Sequence, residues 1–356
     1  MQPLSATDAI APAWQHTRRL LLGPRNPRLF FKIAAVAFFA EMMSSSFSFS
    51  PPFNSSHTGS GSAPSITAAI VGIIFLCAIG GLLIGLVFFY LSSRLQFSIF
   101  HIVLRSETTV APIWRRYGSA TWRWMGLKIL FFLCALACLA PILIPGIFYI
   151  IHAVSLQSQG DNSHIVGFIL TGMFFVFLFA LFILALAVAT VLLRDFALPS
   201  MALEGTPLRE TVRRVLALTR AEPGQVSLYL LLRFCLTTAG VFVSEILIVL
   251  VGLVIGGPLA GLGFGLWTTL HTAGTGARAG MIGGWVILAL ALFAVLAVGV
   301  ICLFGYLFAF LQAYAIFFLG GRYPLMGQLL VEPPAPIIPA VQPQPWTPAF
   351  NTPPPA

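Results

Sequence analysis

The apolar residues of this chain fall into six long runs that are separated by shorter polar stretches. A membrane-spanning helix needs about 20 mostly apolar residues, and most of the runs reach that length easily. We therefore expect an all-α, polytopic membrane protein with six transmembrane helices. The predicted spans are 29–49, 66–91, 127–151, 165–193, 226–255 and 285–319.

Two parts of this pattern leave alternatives open. The first run carries Lys32 and Glu41, so an interfacial or half-inserted segment is the alternative to a full crossing. A second apolar stretch, 259–270, follows the fifth run inside a glycine-rich segment and is too short to cross. We expect a glycine-rich surface loop there, and a re-entrant piece buried in protein is the alternative.

The positive charges indicate how these spans are oriented. Apart from Arg278, the 19 Lys and Arg residues lie in alternate gaps between the runs, or at the edges of those gaps. Short loops rich in Lys and Arg stay on the cytoplasmic side of a membrane. The predicted organisation is a cytoplasmic basic leader (1–28), a six-helix domain (29–321) and a proline-rich, disordered cytoplasmic tail (322–356).

Composition narrows the class of protein further. The chain is 58% hydrophobic and only 8% charged, whereas a soluble domain carries about a quarter charged residues. Its net charge of +9 does not indicate a nucleic-acid partner, because the basic residues flank spans instead of forming one polar domain. We expect the protein to be embedded in a lipid bilayer, with anionic headgroups at its inner face.

Two of the inner connections have the pattern of amphipathic helices that lie along the headgroup layer. In the first, from Leu91 to Arg105, apolar residues line one face and basic or polar residues the other. In the second, from Thr206 to Arg220, arginines again lie opposite an apolar stripe. The residues predicted to meet anionic lipid or a protein partner are Arg94, Arg105, Arg115, Arg116, Arg209, Arg213, Arg214 and Arg220.

Polar side chains within the apolar runs are the candidates for chemistry. Glu41, Glu245 and Gln312 lie inside predicted spans, where polar groups are costly and often functional. One interpretation of the two carboxyl groups is a proton or cation site. The other is a pair of carboxyl groups near the outer interface that are neutral or paired, while Gln312 bonds to a neighbouring helix.

No motif for catalysis, metal binding or phosphate binding is found in the sequence. We therefore expect neither an enzyme nor a cofactor. The prediction is a scaffold or accessory subunit of a membrane complex. A transporter of a small solute or ion that uses Glu41 and Glu245 is the alternative.

Three segments together resemble a group of uncharacterised prokaryotic six-helix membrane proteins. They are Trp14–Glu41, Arg194–Met201 and Ser227–Arg233. The resemblance covers most of the chain except the proline-rich tail. The chain is also distantly similar to the membrane domain of some glycerophosphodiester phosphodiesterases. It implies a fold and an inner membrane, with Asp195, Pro199 and Met201 marking an inner turn. It implies no activity, because the catalytic domain of that enzyme is absent from the sequence.

Overall fold

The computed structural model describes residues 3–23, 27–45, 64–105, 110–157, 165–270 and 275–330. Within these ranges the chain forms helices and short connections only. In chain order they are α1 (Ile10–Leu22), α2 (Pro27–Ser45), α3 (Pro64–Arg105), α4 (Val110–Arg116), α5 (Gly118–Gln157), α6 (Ile165–Leu192), a π-helical turn (Leu193–Ala197), α7 (Leu198–Leu203), α8 (Leu208–Ala221), α9 (Pro223–Leu270), α10 (Thr275–Gly320) and α11 (Pro324–Leu330).

Five of the described segments are long and apolar enough to cross a membrane. They are Phe75–Arg105, Gly118–Tyr149, Ile169–Leu203, Pro223–Gly265 and Ile282–Gly320. They correspond to the second to sixth predicted spans, so the prediction of a multi-pass, all-helical membrane protein is confirmed at this level. The first predicted span coincides with α2, which is not among the five.

The long helices change character part-way along their length. Large apolar side chains are mostly exposed in 75–91, 129–149, 169–191, 234–255 and 282–298, which we call the apolar half. Side chains in 92–104 of α3 and 305–319 of α10 are mostly buried, and so are Tyr117, Thr121, Trp124, Met125 and Leu127 in 117–127 around the start of α5. These segments form the packed half together with α1, α2, α7, α8, α11 and the first turns of α9.

The packed half is held together by close contacts between its helices. The buried alanines of α1 and α2 let these two helices approach α10. Gly305 of α10 lies against the carbonyl of Ala34, where a side chain would have no room. Trp14 of α1 meets Tyr306 and Phe310 edge to face, with ring centroids 5.4 and 5.6 Å apart. The first helices of the chain are therefore built onto the last long one.

The prediction of the first interfacial helix is wrong. Residues 91–105 are the end of α3, with no break before them, and side chains all round this segment are buried. The apolar stripe is as predicted, but Ser92, Ser98 and His101 on the other face are also buried, because α3 packs against α2, α4, α5 and α10. The second predicted helix does form a separate element, α8.

The prediction of a glycine-rich surface loop is also wrong, because α9 continues through this segment to Leu270. Glycine costs a helix about 1 kcal/mol in water, but backbone groups in lipid must all be hydrogen-bonded, which favours an unbroken helix. Gly263 has a further role, because its missing side chain leaves room for the Trp285 ring of α10.

Two other boundaries differ from the prediction. Helix α11 forms within the predicted tail and buries Met326 and Gly327, whereas 331–356 lie outside the described residues. The inner turn that the family resemblance implied at Asp195–Met201 is helical. The chain turns later, at Gly205, whose φ of 65° suits glycine.

Candidate functional site: the charged layer

Five ionisable side chains lie where the packed half meets the apolar half, and we call them the charged layer: Glu41, Lys128, Arg194, Asp195 and Arg233. Lys128 and Arg233 each lie ten residues after the start of their helix. At 1.5 Å per residue, this places the layer about 15 Å from the N-terminal ends of α5 and α9. The layer coincides with the beginning of the exposed apolar surface.

The centre of the charged layer is a buried ion pair between the π-helical turn and α9. Asp195 Oδ2 lies 2.9 Å from Nη1 of Arg233, and the two side chains are 0% and 6% exposed. The Tyr229 hydroxyl donates to the same carboxylate oxygen at 2.7 Å. Arg233 also donates to the carbonyl of Leu311 on α10, at 3.1 Å. One guanidinium thus joins three helical elements.

Aromatic rings hold Tyr229 in this position. Its ring stacks on Tyr314 and Phe318 of α10, with centroid distances of 5.1 and 4.4 Å. Phe196, next to Asp195 in the π-helical turn, packs on the Tyr229 ring, with the two ring centroids 5.6 Å apart. Tyr314 in turn donates its hydroxyl proton to the carbonyl of Ala6, at 3.0 Å. The ion pair is therefore anchored to the N-terminal segment as well.

A second ion pair, Glu41 with Arg194, joins α2 to the π-helical turn. The ammonium group of Lys128 lies near enough to both for their charges to act on it. Lys128 donates to the Ser93 hydroxyl at 3.2 Å and lies 5.5 Å from the centroids of Phe89 and Trp124. Its charge therefore sits against aromatic rings at the edge of the apolar half.

The π-helical turn directs two adjacent residues to different partners. Arg194 reaches α2, while Asp195 reaches α9. Single π-helical turns are uncommon and occur often at functional sites. This turn makes one short segment the common partner of the N-terminal and the C-terminal parts of the packed half.

The three predicted intramembrane residues are not brought together. Glu41 is part of the charged layer, and Gln312 is buried on α10 at 4% exposure. Glu245 lies 12 residues beyond Arg233 on α9, which is about 18 Å along the helix. It is exposed among Phe242, Ile246 and other apolar side chains.

Among the predicted basic residues, Arg94 differs from the others because it is only partly exposed. It donates to the carbonyl of Trp114, 3.0 Å from its Nε, and its guanidinium lies 4.5 Å from the centroid of that indole ring. The exposed residues are Arg105, Arg115, Arg116, Arg209, Arg213, Arg214 and Arg220.

Helix α8 carries the densest group of exposed arginines. Arg214 bonds to both Glu204 and Glu210, 2.6 Å from the latter. Arg209, Arg213 and Arg220 line an open depression on the same helix and have no ion pair with any residue in the described ranges. We call these three the α8 arginines.

A small polar network fastens α11 to the start of α8, outside the membrane-length segments. The Tyr323 hydroxyl donates to Glu204, and this bond, with those from Arg214, lowers the pKa of the Glu204 carboxyl. Burial and the neighbouring Glu204 carboxylate raise the pKa of Tyr323. The C-terminal helix is thus linked electrostatically to α8.

Sequence reasoning missed most of the charged layer. From the sequence, Lys128, Arg194 and Arg233 count only among the basic residues in or beside the gaps, and Asp195 belongs to the inner turn that the resemblance implies. The available signal was a pair of adjacent opposite charges, Arg194 and Asp195, at the end of a fully apolar run. Ionisable residues at that depth need partners.

A comparison with protein families places the whole helical assembly in one group. The chain belongs to the family of unknown function DUF7544. The match covers residues 4–329, from the segment before α1 to α11, and so includes the charged layer and α8. The resemblance to an uncharacterised family is therefore confirmed. No curated protein and no solved structure matches this DUF7544 chain. The similarity to the membrane domain of glycerophosphodiester phosphodiesterases finds no support.

Proposed function

We propose that this DUF7544 protein is a non-enzymatic scaffold or accessory subunit of the cytoplasmic membrane of a prokaryote. Its packed half lies on the cytoplasmic side, binds anionic headgroups and offers a surface to a protein partner. The observation that carries this proposal is the contrast between the exposed apolar half and a packed half whose α8 arginines have no ion pair within the described ranges.

The contacts of the chain's two ends support six crossings. Arg322 donates to the carbonyl of Leu4 at 2.9 Å, so the N-terminal segment lies beside the end of α10. The same side holds the end of α3, since Arg105 follows the buried 92–104 segment. Helix α3 therefore begins on the opposite side, and the chain crosses once between Leu4 and Pro64.

The charges support the orientation. Basic residues of α3, α4, α5 and α8 lie in or beside the packed half, which agrees with the rule that Lys and Arg remain in the cytoplasm. Cysteine labelling tests it directly. A Ser119→Cys variant is expected to react only with a reagent that reaches the cytoplasm, and reaction from outside would contradict the proposed orientation. Ser158, outside the described residues, is the matched position expected on the other side.

Lipid binding by α8 has its own experiment. Three arginines near an anionic surface contribute about 1 kcal/mol each. Added phosphatidylglycerol should therefore raise the unfolding temperature of the purified protein more than phosphatidylcholine does, since a ligand that binds only the folded state stabilises it. Replacing Arg209, Arg213 and Arg220 by Gln should remove most of the difference.

The matched control replaces the exposed Arg18, Arg19 and Arg28 by Gln, which removes the same charge from another part of the packed half. This variant should keep the response to phosphatidylglycerol. An equal loss in both variants would show that only net charge matters, and an unchanged response in the α8 variant would rule α8 out as the lipid-binding surface.

A further inference from the structure

Glu245 differs from every other carboxylate in the described ranges. Asp8, Glu41, Asp195, Glu204, Glu210 and Glu222 each have a hydrogen bond or an ion pair. Glu245 has neither with any described residue, and its side chain is exposed on α9. The described part of a single chain therefore gives this group no partner.

The depth of Glu245 makes that exposure costly. It lies about 18 Å beyond the charged layer along α9, in a hydrocarbon core about 30 Å thick. Its neighbours Phe242 and Val249 are 62% and 66% exposed, so the carboxyl group projects from an apolar surface that faces lipid tails. A carboxyl group at that depth without a hydrogen-bond partner is destabilising.

We propose that Glu245 lies at a two-fold interface between two copies of this chain. This inference rests on the proposed membrane crossing. Two copies with the same orientation are related by an axis along the membrane normal, so a residue at their interface faces its own copy at the same depth. A neutral carboxyl group has both a donor and an acceptor, and two such groups complement each other.

The rest of the helix face fits a close approach of two helices. Val249, Gly252 and Gly256 follow Glu245 at intervals of four, three and four residues, which places them on one face of α9. A side chain added at either glycine would meet nothing within 4 Å, so neither packs closely against another described segment. Small residues four apart allow two membrane helices to approach closely.

Disulfide cross-linking in membrane vesicles tests the interface, in a background with the five native cysteines replaced by Ala. A Val249→Cys variant should form a dimer on oxidation. The matched control is Val295→Cys on α10, which is 59% exposed. Val249 lies 16 residues after Arg233 on α9, and Val295 lies 16 residues before Leu311 on α10. Because Arg233 bonds to Leu311, the two positions have the same depth.

Glu245 is tested in the Val249→Cys background. Glu245→Gln keeps a donor and an acceptor and should keep the cross-linked dimer. Glu245→Leu should lower the dimerisation constant about tenfold, the effect of about 1.4 kcal/mol. Cross-linking at Val249 no stronger than at Val295, or unchanged by Glu245→Leu, would overturn the proposal. A cross-link to a different protein would do the same.

An alkaline carbonate wash distinguishes failure of this inference from failure of the proposed function. A chain that leaves the membrane in carbonate is not an integral protein, and both proposals fall. A chain that stays in the membrane without the Val249 cross-link loses only the dimer.

Discussion

The buried ion pair of the charged layer makes a strong prediction about stability. Arg233→Met removes a guanidinium that contacts the Asp195 carboxylate, the Tyr229 hydroxyl and the Leu311 carbonyl. Asp195 then keeps one hydrogen bond, from Tyr229, because its Oδ1 atom has no partner among the described residues. The variant therefore leaves a carboxylate buried almost without compensation.

The expected cost follows from that geometry. Breaking a buried pair by removing one partner costs about 3–5 kcal/mol, whereas replacing both partners by apolar residues is often nearly neutral. The double variant Asp195→Leu/Arg233→Met should therefore be more stable than Arg233→Met alone. A total stability of about 5–15 kcal/mol makes the single change large.

Titration with SDS in mixed micelles measures the free energy of unfolding of each variant. Phe234→Met is the matched control, because Phe234 is the next residue and is 68% exposed. It should change stability by less than about 0.5 kcal/mol. A cost below about 1 kcal/mol for Arg233→Met, or a double variant less stable than the single one, would refute the assigned role of the pair.

Three further changes test other contacts of the packed half. Gly305→Ala places a methyl group 2.6 Å from the carbonyl carbon of Ala34 and should lower the free energy of unfolding by about 1–3 kcal/mol. Gly299→Ala, which has nothing within 4 Å, is the control and should not lower it. Equal effects of the two changes in SDS titration would contradict the close contact. Gly205→Ala should cost about 1–2 kcal/mol in the same assay because φ is 65°, and a neutral result would show that the turn adapts. Because the pKa of Glu204 is lowered in the folded state, its carboxylate stabilises the link to α11 at pH values above the ordinary pKa of 4.5. This stabilisation is lost as the pH falls through the lower folded-state pKa. Hydrogen exchange of α11 should therefore accelerate in acid, and Glu204→Gln should remove that pH dependence. If the pH dependence persists in the Glu204→Gln variant, Glu204 is not its source.

The apolar pattern alone was enough to locate the long helices. Helix α6 begins at Ile165, where the predicted span begins, and the helical path continues past the predicted end through the π-helical turn and α7 to Leu203. Helices α3, α5 and α9 extend well beyond their predicted spans. Hydrophobicity identifies the part that can cross a membrane, whereas the rest of each helix depends on packing against distant segments.

The charged layer could not be predicted because its partners are far apart in sequence. Arg194 lies 153 residues from Glu41, and Arg233 lies 78 residues from Leu311. Periodicity reports only on neighbours within one helix. The place of Glu245 within the fifth predicted span follows from the sequence, but its exposure depends on which helices surround α9.

The packing of α1 against α10 also sets an order of assembly during translation. Helices α1 and α2 leave the ribosome first, but their partner surface at 305–319 is made almost 300 residues later. At about 5–20 residues per second, the surfaces of α1 and α2 that pack on α10 stay uncovered for about 15–60 seconds. The packed half therefore completes last, and a chain interrupted before α10 leaves apolar helices exposed to chaperones and proteases.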